Sequence, residues 1–145
     1  MIAIGCDHAG VELKDEVINF LREKNIEVTD CGIKSGEKCD YTDMAEKVCG
    51  MITSGEAEKG ILICGTGIGM SMAANKIKGI RAAVCTEHFS AKYTRLHNDA
   101  NVLCMGARVV GPGLALELAD IFVSTEFEGG RHQRRVDLIS KLEEK

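Results

Sequence analysis

The sequence predicts an α/β protein, a three-layer α/β/α sandwich around a five-stranded parallel sheet of the flavodoxin or Rossmann-like type. Short apolar runs typical of buried parallel strands alternate with longer amphipathic segments typical of helices. The chain has 145 residues, of which 45% are hydrophobic, enough to build a substantial core. No linker, internal repeat or low-complexity segment interrupts it, so we expect residues 1–145 to form a single domain.

Five apolar runs predict the strands. The first, 1–6, and the third, 61–64, are apolar along their length, as is typical of parallel strands buried on both faces. The second, 26–31, has Glu-Val-Thr-Asp in its middle, which indicates an exposed sheet edge. The fourth and fifth strands are predicted at 80–85 and 102–105.

Six segments between and after these runs predict helices. Residues 11–25 place apolar side chains at helical spacing between Lys and Glu. A polar loop over 32–40 precedes the second helix, 41–54, where the spacing of Asp43 and Glu46 predicts a capping box. The remaining helices are predicted at 70–76, 87–98, 114–124 and 128–145.

Composition and charge exclude several classes of partner. Eighteen Lys and Arg against 22 Asp and Glu give a net charge of −4, so nothing in the balance favours nucleic acid or an anionic membrane. No apolar run approaches the roughly 18 residues of a membrane span, and no secretory signal is visible. The seven cysteines are widely spread, without the spacing of a zinc site. We therefore expect a cytoplasmic protein without a metal site.

The most informative segment is 60–69, Gly-Ile-Leu-Ile-Cys-Gly-Thr-Gly-Ile-Gly, in which a buried strand runs into a glycine-rich turn and a helix. Free backbone N–H groups and the helix dipole make such a turn an anion site. It lacks the last glycine of a dinucleotide fingerprint and the Lys of a P-loop. We expect it to hold one phosphate or one oxyanion.

Cys64 lies at the end of that strand, at the mouth of the turn. A thiolate beside an oxyanion-binding loop suits removal of a proton next to a carbonyl. The alternative is that Cys64 is a small core residue, as we expect for the six other cysteines.

Polar residues also follow two further strands: Asp7 and His8 after the first, and Arg108 after the fifth. Ligands of open α/β sheets bind beyond the carboxyl ends of the strands, so these side chains are candidates for the same site. The alternative for Asp7 is a cap of the next helix.

Two further groups of candidates lie on predicted helices. His97 and Asn98 end one helix, where a His is either a general acid/base or a charge partner of the helix C-terminus. Arg131 and Arg135 share a face near the start of the last helix. They form either a phosphate clamp or a solvated basic face.

Five separated segments together resemble the ribose-5-phosphate isomerase B family, which includes the galactose-6-phosphate isomerase subunits. They are residues 5–10 (Gly-Cys-Asp-His-Ala-Gly), 60–69, 73–76 (Ala-Ala-Asn-Lys), 95–99 (Arg-Leu-His-Asn-Asp) and 128–135 (Glu-Gly-Gly-Arg-His-Gln-Arg-Arg). The resemblance extends over essentially the whole chain. It implies an aldose–ketose isomerase of the pentose phosphate pathway that needs no cofactor or metal. It also implies a phosphorylated aldose or ketose substrate and a homodimer, or a dimer of dimers, with sites at the subunit interface.

The resemblance also implies roles for individual residues. Cys64 would remove the proton from C2 of the sugar, and His97 would help to open the furanose ring. The enediolate oxygen would be held by Thr66 and by the backbone N–H groups of Gly65, Thr66, Gly67, Ile68 and Gly69. The sugar would contact Asp7, Tyr41 and Asn98, and the phosphate would contact His8, Arg131, Arg135 and Arg108. One branch of the family replaces the cysteine by a Glu after the third loop glycine; Met70 stands there, so the chain resembles the cysteine branch.

Alternatives to a pentose-phosphate isomerase remain open on the sequence. A hexose-phosphate isomerase acting on allose or galactose 6-phosphate would need the same residue types. A non-catalytic sugar-phosphate sensor would bind the substrate without turnover. A thiol redox switch would want a second cysteine near Cys64, and none is close in the sequence.

Overall fold

The fold was described from a computed structural model that covers residues 1–145. It contains five strands: β1 (Ile2–Cys6), β2 (Val28–Asp30), β3 (Lys59–Cys64), β4 (Ala82–Val84) and β5 (Val102–Gly106). They form one sheet in the order β2-β1-β3-β5-β4, and every pairing is parallel. The predicted fold class is confirmed, and β2 lies at an edge as its polar middle indicates. Compared with the flavodoxin order, the last two strands are exchanged.

Six helices cover the sheet: α1 (Val11–Glu23), α2 (Tyr41–Thr53), α3 (Ile68–Ala74), α4 (His88–Asn98), α5 (Pro112–Ser124) and α6 (Arg131–Leu142). Alternate side chains of the central strands point to opposite faces of the sheet and form two hydrophobic cores. Ile4, Ile63 and Leu103 face the layer of α1, α4 and α5, where Phe122 is fully buried. Ala3, Leu62 and Cys104 face the layer of α2 and α3. Helix α6 packs on the outside of α4.

One predicted cap and the starts of α3, α5 and α6 differ from the sequence-based prediction, and α5 begins at Pro112 rather than at 114. Helix α2 begins at Tyr41 as predicted, but its capping box is wrong: Asp43 lies inside the first turn, and the N-cap Asp40 makes no side-chain cap hydrogen bond. Helix α3 begins at Ile68, two residues early, because Gly67 takes a left-handed conformation with φ of 79° and ends the turn. Helix α6 begins at Arg131 rather than at 128, because left-handed Gly129 and Gly130 precede it.

The register of the three central strands fixes which residues lie side by side. Cys6 pairs with Ile63, and Cys64 pairs with Gly106. One step beyond the first pair, Asp7 therefore lies abreast of Cys64 at the carboxyl ends of the strands. No helix combines the length and apolar character needed to cross a bilayer.

Candidate active site

The glycine loop between β3 and α3 lies directly on the end of β5. A Cβ atom on Gly67 would lie 2.9 Å from the backbone carbon of Met105. On Gly106 it would lie 2.6 Å from the backbone carbon of Thr66. Both contacts are too short for any side chain, so the two glycines allow two backbones to meet. The loop is thereby fixed against the sheet.

The Cys64 thiol points at this loop. It is 5% exposed, and its Sγ accepts a hydrogen bond from the N–H of Gly67 at 3.1 Å. The Oγ1 of exposed Thr66 accepts one from the N–H of Ile68 at 3.2 Å. The predicted base, Cys64, is therefore in direct contact with the N–H of Gly67, one of the predicted anion donors. The N–H groups of the first turn of a helix have no partner inside the helix, so they are suited to bind an anion.

Five of the six other cysteines are buried core residues, as expected, whereas Cys39 is half-buried in the loop before α2. Burial raises the pKa of Cys49 to about 12 and that of Cys6 and Cys85 to about 11. Burial also raises the pKa of Cys104, which is fully buried. None of the seven forms a disulfide.

Asp7 lies beside Cys64, as the register requires. Its N–H donates to the carbonyl of Ile63 at 3.1 Å, and its carboxylate accepts the N–H of Ala9 at 2.9 Å. Asp7 is 8% exposed and closes a local turn, whereas the N-cap of α1 is Gly10. Helix capping, the alternative for Asp7, is therefore wrong. Next to it, exposed His8 lines a cleft of about 420 Å³ formed with Glu12 and residues 35–38.

Tyr41 and Arg108 flank the glycine loop on either side. A Cβ atom on Gly69 would lie 3.0 Å from the Tyr41 ring. A Cβ atom on Gly65 would lie 3.8 Å from the Arg108 guanidinium. The backbone N–H of Arg108 donates to the Gly65 carbonyl at 3.1 Å. We call the group formed by Asp7, His8, Tyr41, residues 64–69 and Arg108 the strand-end cluster.

The remaining predicted residues form a second group, the helix-end cluster of His97, Asn98, Arg131 and Arg135. The ring of His97, at the end of α4, stacks on that of His132 in α6, with centroids 4.0 Å apart and planes 15° apart. Arg131 and Arg135 are exposed on the first turns of α6, and Asn98 lines a cavity of about 580 Å³ between β4, α4 and α6.

One chain does not bring the two clusters together. Helix α4 ends at Asn98, just before β5 starts at Val102, whereas Cys64 pairs with Gly106 at the other end of β5. Four strand steps of about 3.3 Å separate those ends by roughly 13 Å. Helix α6 begins on the same side as the end of α4, since the Glu128 N–H donates to the Leu96 carbonyl at 3.1 Å.

Two residues near His97 had no role assigned from the sequence. His132 packs against its ring, and the Glu128 carboxylate lies 3.3 Å from Nε2 of His132. Glu128 and His132 are four residues apart, and this spacing indicates that their side chains lie on the same side of the chain at the start of α6. Their contact with His97, which lies in a different helix, is tertiary and has no signal in the sequence.

The fold and the site define a class of protein. A thiol in contact with a glycine-rich loop at the carboxyl ends of a parallel sheet, together with exposed arginines, suits an isomerase of phosphorylated sugars.

Comparison with known proteins gives the family: the chain belongs to the Ribose/Galactose Isomerase family, whose model matches residues 2–139. Ribose-5-phosphate isomerase B of Escherichia coli is 50% identical over 144 residues, 99% of this chain and 97% of that protein.

Two solved structures agree with this assignment. Ribose-5-phosphate isomerase B of Clostridium thermocellum superposes with a TM-score of 0.96 at 50% identity, covering 99% of this chain and 97% of that one. The Mycoplasma genitalium enzyme with bound ribulose 5-phosphate superposes with a TM-score of 0.93 at 40% identity, covering 99% and 96%. The chain is therefore a sugar-phosphate isomerase.

Proposed function

We propose that the protein interconverts ribose 5-phosphate and ribulose 5-phosphate through a cis-enediolate, with Cys64 as the base. The observation that carries the proposal is the Cys64 thiol at the mouth of the glycine loop, in hydrogen-bond contact with the N–H of Gly67. Two relatives at 50% identity that are named ribose-5-phosphate isomerase B support the pentose substrate. As a single domain in the cytoplasm, the protein would serve the pentose phosphate pathway.

The reaction moves one proton between adjacent carbons. Cys64 takes the proton from C2 of the open aldose, and the electrons of the C–H bond form the C1–C2 double bond of the enediolate. The negative charge on oxygen is stabilised by the N–H groups of the loop and by the Thr66 hydroxyl. The proton on O2 then passes to O1, the proton held by Cys64 is delivered to C1, the C2 oxygen becomes the ketone, and the Cys64 thiolate is restored. Buried Asp7, abreast of Cys64, contacts a sugar hydroxyl, as does Tyr41.

Ribose 5-phosphate in water is mainly a closed furanose, so the ring must open first. We assign this step to His97, with Asn98 contacting the sugar and Arg131 and Arg135 holding the phosphate together with His8 and Arg108. Arg131 and Arg135 are one turn apart on an exposed helix face, which suits bidentate binding of a phosphate. The phosphate anchors the substrate, and its binding energy positions the reacting carbons.

The distance between the two clusters supports a homodimer with two shared sites. The strand-end cluster of one chain and the helix-end cluster of a second copy would together hold one substrate. Exposed apolar side chains on α3 and α4 are available to such an interface: Ile68 is 54%, Met72 65% and Phe89 65% exposed. The same pairing repeated by a two-fold axis gives two equivalent sites.

The proposal is tested by assaying ribulose 5-phosphate formation from ribose 5-phosphate in EDTA, beside allose 6-phosphate and galactose 6-phosphate. We expect pentose turnover at ordinary enzyme rates, with kcat of roughly 1–10³ s⁻¹. Turnover of a hexose alone would keep the mechanism and change the substrate. Binding of the pentose without turnover of any substrate would indicate a sensor, and a requirement for a divalent cation would contradict the proposed chemistry.

A further inference from the structure

Two aromatic side chains contact the His97 imidazole. His132 of α6 stacks on one face, with centroids 4.0 Å apart. Tyr93, one turn earlier in α4, packs edge-on against His97, with ring planes 79° apart and centroids 5.0 Å apart. Phe89 stacks on Tyr93 in turn, at 4.2 Å. The ring of His97 is therefore oriented by its neighbours, although its side chain is still 35% exposed.

A single carboxylate reaches both stacked imidazoles. Oε2 of Glu128 lies 3.3 Å from Nε2 of His132 and 4.0 Å from Nε2 of His97. The backbone of Glu128 is fixed to the end of α4 by its hydrogen bond to the Leu96 carbonyl. The left-handed Gly129 and Gly130 that follow turn the chain into α6, so Glu128 and His132 face the same imidazole.

A histidine at position 132 is unexpected if the side chain serves only to pack against its neighbours. It is 5% exposed, and its Nε2 makes no well-aligned hydrogen bond despite the nearby carboxylate. A buried nitrogen without a hydrogen bond destabilises the fold. Phenylalanine would offer a similar ring without this nitrogen, so the imidazole and its carboxylate indicate a role in the chemistry of the neighbouring ring.

We infer that Glu128 and His132 are positioning residues for His97 in sugar ring opening. This inference rests on the proposed function. In that step the C1–O4 bond breaks, the C1–O1 double bond forms, and the proton on O1 is replaced by one on O4. An imidazole that moves this proton carries a positive charge during the step. The Glu128 carboxylate stabilises that charge, and the stacked ring of His132 holds the His97 ring in place beside it.

The same three side chains could instead hold a divalent cation, since their ligand atoms lie within 4.8 Å of one another. The stacking disfavours this alternative. Rings that lie nearly parallel at 4.0 Å point their nitrogen lone pairs side by side, whereas two imidazole ligands of one ion must converge on it.

The experiment compares Glu128→Gln with wild type on two substrates. Ribose 5-phosphate must be opened, whereas 4-deoxyribose 5-phosphate lacks the hydroxyl that closes the furanose and is always open. We expect Glu128→Gln to lower kcat on ribose 5-phosphate about tenfold, with KM within about twofold, and to leave the rate on the open analogue within about twofold of wild type.

Two further variants make the result specific. His132→Phe keeps a stacked ring but loses the nitrogen, and we expect a smaller loss, about threefold, again confined to ribose 5-phosphate. Glu126→Gln removes an exposed carboxylate two residues away and is expected to behave as wild type. His97→Asn serves as the reference for a selective loss on the cyclic substrate.

Several outcomes would overturn the inference. Equal losses of Glu128→Gln on both substrates would indicate a structural role, and no loss would indicate none. Loss of wild-type activity in EDTA, restored by Zn²⁺, would favour the metal site. If wild type does not turn over ribose 5-phosphate, the proposed function fails as well. If wild type and His97→Asn behave as expected and Glu128→Gln spares the cyclic substrate, the inference fails alone.

Discussion

The strand-end cluster and the helix-end cluster differ in what holds them in place. In the strand-end cluster the backbone sets the geometry: Gly67 and Gly106 bring two chain segments into contact, and Cys64 is fixed by its strand register. In the helix-end cluster, side chains from separate helices set it, through the stacked rings of His97 and His132.

This difference corresponds to the two parts of the proposed reaction. Proton transfer at C2 needs donors that do not move as charge develops, and backbone N–H groups on a rigid loop meet that need. Ring opening and phosphate binding need groups that reach the far end of the substrate, and long side chains on helix surfaces do so. A substrate between two chains would use both.

The largest effect on kcat is expected when the proposed base of the strand-end cluster, Cys64, is replaced. Cys64→Ser should lower kcat about 10²–10⁴-fold, because a hydroxyl is a far weaker base than a thiolate, while binding of a sugar phosphate stays within a few-fold. Kinetics and calorimetric titration measure the two effects separately. Cys85→Ala, at a buried thiol elsewhere in the core, is the control. A matching loss of binding in Cys64→Ser would make Cys64 a structural residue.

The second effect tests whether the backbone sets the geometry of that cluster. A Cβ on residue 106 would lie 2.6 Å from the backbone of Thr66, so Gly106→Ala must displace the loop. We expect kcat to fall about a hundredfold, as for a small misplacement of catalytic groups. Gly50→Ala, in α2 with nothing within 4 Å of the new Cβ, is the matched control and should retain full activity. Full activity in Gly106→Ala would refute the rigid-loop account.

The third effect concerns the helix-end cluster. Arg135→Ala should raise KM about 10- to 100-fold with little change in kcat, because a charged hydrogen bond to the distant phosphate is lost while the reacting groups remain. Steady-state kinetics separate the two constants, and Arg134→Ala, at the adjacent exposed arginine, is the control. An unchanged KM would remove Arg135 from the phosphate site.

The smallest expected effect is the contribution of a buried core thiol, Cys49, to the pH dependence of stability. Burial holds the pKa of Cys49 at about 12 in the folded protein, above its ordinary value of 9.0. The protonated thiol therefore contributes stability below pH 9, and that contribution is lost as the pH rises through 12. Urea denaturation should show a smaller decrease in the free energy of unfolding from pH 9 to 11 for Cys49→Ala than for wild type. Equal decreases would show that the pKa of Cys49 is the same in the folded and unfolded states, which would contradict the prediction.

The strand-end cluster could be predicted well from sequence, because it depends on local patterns. An apolar strand, alternating glycines and a helix start are contiguous, and parallel strands bring their carboxyl ends to one edge. The exposed edge of β2 was likewise visible in its polar middle. The helix starts were less accurate, since left-handed Gly67, Gly129 and Gly130 decide them and a sequence does not give a φ angle.

The helix-end cluster was predictable only in part. Its residues were identified, but the insertion of β5 between β3 and β4 and the separation of His97 from Cys64 depend on tertiary structure. The contacts of Glu128 and His132 with His97 cross from one helix to another over more than 30 residues of sequence. No local pattern encodes such contacts.

We propose above all that the strand-end cluster of one chain and the helix-end cluster of a second chain act on one substrate. This proposal is tested by mixing Cys64→Ser with a His97→Asn/Arg135→Ala variant after subunit exchange. Each variant alone should be nearly inactive. In a mixed dimer, one site combines the intact Cys64 of one chain with the intact His97 and Arg135 of the other. Random pairing then predicts recovery of about a quarter of wild-type activity. Activity that stays at the average of the two parents would contradict the claim.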